Sequence, residues 1–161
     1  MSTAAVESLK AAFLRSWGLT GTFITVCPDH LWTRKFGGWP VWQSVYHSLM
    51  SVHFFVRQEG AAAPEGLYSP QVTSLGEAYA GPDVPSRQDL QTLHASMETV
   101  VRAYLDGLTD ADLAKPHEGL SARTKMAWTH ASACAMLVGH GLYHLGTCDA
   151  ALREEGLKGV F

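Results

Sequence analysis

The sequence predicts an all-α fold: a four-helix bundle, with a long connection between helices 2 and 3, forming a single domain over residues 1–161. Three observations carry that expectation. Four long stretches repeat apolar residues at the three-to-four spacing of a helix. No stretch alternates apolar and polar residues with the β-branched enrichment of a strand. The second and third long stretches are separated by a segment rich in Gly and Pro, too long to be a simple turn.

The first helix is expected from about Thr3 to Thr25, on Val6, Leu9, Phe13, Trp17, Phe23 and Ile24, with an irregularity at Gly18 and Gly21. Cys27-Pro28-Asp29-His30 ends it, because Pro lacks a backbone donor and biases its predecessor away from helix. Asp29 then caps a short turn carrying Leu31 and Trp32. Lys35 to Pro40 reads as a loop, with Pro40 in the first turn of the second helix. From Val41 onward, Trp42, Val45, Tyr46, Leu49, Met50 and Val52 make that helix apolar around most of its circumference, so it is placed in the interior. Residues 58–66 end it.

The connection over residues 64–85 contains Pro64, Pro70, Pro82 and Pro85, with room for one short turn at Leu75 to Tyr79. Connections of this length are often functional. Ser86 and Asp89 form a capping start for the third helix, whose stripe is Leu90, Leu93, Met97, Val101, Leu105 and Leu108. Thr109 to Pro116 is a turn with one short helix. The last long helix is expected to start near Ser121 to Lys125 and to run to about Glu155, where Gly156 stops it.

Bulk composition narrows the function classes. Apolar residues make up 47% and charged residues 17%, a globular composition with a lightly charged surface that leaves room for a subunit interface. A net charge of -3 and the lack of a Lys/Arg-rich run argue against nucleic acid as a partner. No apolar run is long enough to span a membrane, and the first ten residues lack the pattern of a signal peptide. Three cysteines, Cys27, Cys134 and Cys148, form no paired framework and no C-x-x-C, which favours a reducing, cytoplasmic setting and disfavours a structural zinc site. P-loop, dinucleotide and G-x-S-x-G patterns are absent.

Eight histidines stand out in 161 residues, and their placement carries more than the charge does. His140 and His144 lie four apart in the last helix, one above the other on one face, where both imidazoles can reach a common metal ion, although such pairs also arise by chance in a His-rich chain. His47, in the middle of the apolar second helix, points to the core, either as a third ligand or as an ordinary hydrogen-bonded core histidine. His53, six residues on, is turned by about 240° from it, and His130, ten before His140, lies off the face of the pair. His94 sits at the edge of the third helix's stripe, while His30 and His117 fall in loops. Cys148 is four beyond His144, but about 12 Å along the axis from His140, too far to share one ion. His130 and Cys134 form a further pair of weaker claim.

Together these residues resemble a known family. Trp39-Pro-Val-Trp-Gln-Ser-Val-Tyr-His47, and later His140-x-x-x-His144-x-Gly146 before Ala-Leu-Arg153-x-x-Gly156, look like the DinB/YfiT-like superfamily of bacterial four-helix bundles. The pattern of that family puts one His on the second helix and H-x-x-x-H-x-G on the last. Position by position, the resemblance gives the ligand places to His47, His140 and His144. The chain departs from the family at Leu145, where Arg is frequent, and at His53, where an acidic residue is often found.

The resemblance implies a divalent metal, zinc or nickel ahead of iron or manganese, with an open coordination place of the catalytic kind. It also implies a low-molecular-weight thiol as cosubstrate, used by a transferase or isomerase on a small electrophile. Trp42, Tyr46 and Tyr143 are then pocket candidates, although ordinary core packing is the favoured account of such aromatics, and the 64–85 connection is a candidate cover. A homodimer is expected from family habit and low surface charge. The competing expectation is a non-catalytic, stress-associated bundle that binds a ligand or partner, with a structural metal or none.

Overall fold

The computed structural model describes residues 4–57 and 75–161. Four long helices dominate them: α1 (Ala4–Val26), α3 (Val41–Val56), α4 (Arg87–Gly107) and α7 (His130–Glu154), with short helices α2 (Asp29–Trp32), α5 (Asp110–Leu113) and α6 (Glu118–Thr124) between. Among the described residues, α1 packs against α7 and α4, and α3 packs against the same two. The pairs α1/α3 and α4/α7 therefore stand on the diagonals of a four-helix bundle, as the sequence predicts.

Each long helix buries what its sequence offers. On α4 a single stripe, Leu90, Met97, Val101 and Leu105, goes fully inside, with Leu93, His94 and Tyr104 half-buried along its edges. By contrast α3 buries twelve of its sixteen residues, which makes it the most enclosed helix of the bundle. Trp42, Tyr46, Leu49 and Phe55 meet Phe13, Trp17, Phe23 and Ile24 of α1 and Leu137, Leu145 and Leu152 of α7 in one continuous core.

No irregularity interrupts α1 at Gly18 or Gly21. Gly21 has a packing role instead. A Cβ there would lie 2.7 Å from the His94 ring, which stacks on Trp17 at 4.2 Å and places its Nε2 3.0 Å from the Trp17 carbonyl. The Trp17 indole N–H donates to Glu98. The short helix after Pro28 exists, but Asp29 is its first residue rather than its cap, and its carboxylate pairs with Arg87 at 3.0 Å. Arg87 also donates to the carbonyls of Thr25 and Cys27, closing the C-terminal end of α1.

Lys35 to Pro40 is not a plain loop. Lys35–Phe36 and Trp39–Pro40 pair as β1 and β2, an antiparallel hairpin turned by Gly37 and Gly38, whose φ values of 59° and 99° are both positive. Positive φ at both central residues is what a two-residue hairpin turn with the right-handed twist needs. Pro40 then caps α3 from outside its first turn.

Most of the connection between α3 and α4, residues 58–74, lies outside the described residues. From residue 75 on it is non-helical, with a bend at 75–77. The fully buried Gln43 amide ties it down, donating to the Glu77 carbonyl at 3.0 Å and accepting from the Tyr79 N–H at 2.9 Å. The capping box of Ser86 and Asp89 starts α4, and a second one, Thr109 with Asp112, starts α5.

The last helix begins later than expected. Residues 118–124 form the separate helix α6, ended by Lys125 in the left-handed region, and α7 starts at His130 behind the capping Thr129. Backbone pairing forces the break: the His117 N–H donates to the Trp128 carbonyl and the His130 N–H to the Lys115 carbonyl, an isolated bridge between Pro116 and Thr129. Gly156, at a φ of 73°, ends the last helix as expected. Among the described residues, no helix is long and apolar enough to cross a membrane.

Candidate metal centre

Helix α7 carries His140 and His144 on the face that packs toward α3, and α3 presents His47 to them from the other side. The Nε2 atoms of His47 and His140 are 3.1 Å apart, as are those of His144 and His140. All three ligand nitrogens lie within 4.8 Å of one another. Among the described residues this is the one group of three or more potential ligands. Two imidazole nitrogens at ~2.0–2.1 Å from a tetrahedral zinc ion stand about 3.3 Å apart, so the spacing suits such an ion.

The donor chemistry also fits. A neutral imidazole nitrogen offers either one N–H or one in-plane lone pair. His140 Nε2 faces two other Nε2 atoms at the same distance, and a hydrogen bond satisfies only one of those contacts. A shared cation satisfies all three. Burial, and then the neighbouring His47, hold the pKa of His140 below the ordinary imidazole value. Burial and the other two histidines lower His144 to about 4. Both rings are therefore neutral near pH 7, with lone pairs available to a metal.

The other histidines are engaged elsewhere. His53 is buried off this face, with its pKa lowered by burial and by Arg57. His130 Nδ1 lies 2.7 Å from the Tyr104 hydroxyl, which faces Cys134 as well. His117 caps α6 by accepting from the Leu120 N–H and stacks on Phe55 at 4.5 Å. His94 belongs to the Trp17 stack, and His30 lies on the surface 3.7 Å from Glu155. All three cysteines are buried and free. Burial raises Cys27 and Cys134 to about 11 and Cys148 to about 12, so none is a thiolate near neutrality.

His47 and His140 also line a cleft of about 270 Å³ between α3, α6 and α7, walled by Met50, Phe54, Leu120, Arg123 and Met136. It gives the trio an open side, as a site with a free coordination place requires. His144 does not border it. Of the aromatic pocket candidates, Trp42 and Tyr46 are packed in the core at 1% and 0% exposure, and Tyr143 is 67% exposed, with its ring edge-on to His144 at 5.1 Å. None of the three lines the cleft.

Sequence reasoning overlooked the wall from α6, because it merged that helix with α7. The signal was present in Thr129 and Ser132, whose reciprocal capping marks a fresh helix start only eight residues before Val138.

A sequence model of the DinB superfamily matches residues 12–148. No curated protein and no solved structure matches the chain. The match runs from within α1 to within α7 and takes in all three clustered histidines, and the chain belongs to the DinB superfamily.

Proposed function

We propose that this protein holds a divalent metal ion through His47, His140 and His144, and that it works as a thiol-dependent transferase or isomerase. The observation that carries the reading is the convergence of three ring nitrogens beside an open cleft. Zinc or nickel suits a set of neutral imidazoles best, with iron or manganese as weaker candidates. A bound ion would supply Lewis acidity, making a thiol or water in its open place acidic enough to react near neutrality.

The chain's own residues do the rest. His140 and His144 stay unprotonated, so binding a metal through them needs no costly deprotonation near pH 7. Met50, Phe54, Leu120 and Met136 give the cleft an apolar wall that excludes water from a bound electrophile. In the proposed reaction the thiol sulfur bonds to an electrophilic carbon, the thiol proton passes to solvent, and the leaving group or rearranged bond takes the electron pair.

One observation favours the second reading, a stress-associated bundle that binds a ligand without turning it over. Besides the metal histidines, no carboxylate, tyrosine or cysteine among the described residues lines the cleft to act as a general acid or base. Elemental analysis of the purified protein separates the readings first: about one ion per chain is expected, and its loss in His140→Ala and His144→Ala. A native protein without stoichiometric metal ends the enzyme reading. With metal present, a screen of thiols against electrophiles that finds no turnover leaves the binding role.

A further inference from the structure

The cleft beside the histidines is chemically lopsided. Its body is apolar, and among the described residues Arg123 of α6 is its one arginine or lysine and no aspartate or glutamate lines it. The Arg123 guanidinium carbon lies 4.9 Å from the centre of the Phe54 ring, and that of Arg57 lies at the same distance from the same ring. The two cations are therefore within twice that distance of each other.

Neither has a carboxylate partner among the described residues. Elsewhere on the surface Arg34, Arg87, Arg102 and Arg153 each pair with an acid. Two like charges held on one ring repel, and an anion placed beside them relieves that repulsion. The cleft volume of about 270 Å³ is close to the lower end of small-molecule pockets.

We infer that the cleft binds a small amphipathic carboxylate, with its acid group on Arg123, its apolar body against Met50, Phe54 and Met136, and its far end at His47 and His140. Arg123 suits the task because its planar fork grips a carboxylate with two parallel hydrogen bonds. The far end at the histidines rests on the metal reading above, whereas recognition of the acid by Arg123 does not need the ion.

Calorimetric titration with 3-phenylpropionate and with its neutral amide, before and after chelation, tests this. Because Arg123 is exposed, the acid is expected to bind only about five- to tenfold more tightly than the amide, with or without metal. Arg123→Gln is expected to bring the ratio near one while metal content stays unchanged, and Arg123→Lys to keep part of it. Equal binding of acid and amide, or no binding of either at millimolar concentration, overturns the inference. So does a preference that survives Arg123→Gln or vanishes on chelation, since the acid would then be held by the ion. A protein without metal that still shows the Arg123-dependent preference defeats the metal reading alone.

Discussion

At the scale of single residues, the His140/His144 pair was readable because four residues is a fixed geometric interval on a helix. His47 was readable only as inward-facing, since no spacing rule links residues on different helices. What the sequence could not show is the electrostatic state of the trio. His144 is lowered from 6.5 to about 4, so in the unfolded chain it takes up a proton at a higher pH than in the folded one. The stability it contributes is full above about pH 6.5 and is lost as the pH falls toward about 4. Metal-free protein is accordingly expected to lose urea resistance across that window. His144→Gln, which removes the titrating group, should flatten the loss; an equal slope in both proteins would rule His144 out as its source.

At the scale of elements, the four long helices were legible from their apolar periods, and the capping box of α4 from Ser86 and Asp89. Two features were not. A two-residue strand has no room to alternate, so the hairpin at Lys35–Pro40 left only Gly37-Gly38 as its trace. The break between α6 and α7 is imposed by backbone pairing between residues 115–117 and 128–130, which no local periodicity encodes. The glycines of α1 give a paired test at this scale. A Cβ at Gly18 meets nothing within 4 Å, so Gly18→Ala should stabilise the protein by ~0.5–1 kcal/mol. Gly21→Ala drives a methyl into the His94 ring and should destabilise it by ~1–3 kcal/mol. Denaturant melts of the two variants moving in the same direction would contradict this packing of α1 against α4.

For the whole molecule, the bundle was predictable because its four apolar faces have only one another to cover. The tether of the α3–α4 connection to Gln43 was not, because one buried amide holds it by backbone contacts without sequence signature. An ion bound only by the folded chain stabilises it by ~4 kcal/mol at a thousandfold excess over its dissociation constant. For a chain of this length that corresponds to roughly 10 °C in melting temperature. Chelation of the native protein should lower the midpoint by that order, and should leave the midpoint of His47→Ala almost unmoved.

The spacing of the ligands along the chain also has a consequence in time. His47 and His140 are separated by 93 positions, so the trio does not exist until α3 and α7 have docked. An ion cannot seed the collapse of a chain whose ligands are still far apart. It arrives late, as a clasp on a nearly finished bundle. Metal should therefore leave the refolding rate almost unchanged and act by slowing the opening of the native state, so that this protein's persistence is governed by how rarely the clasp lets go.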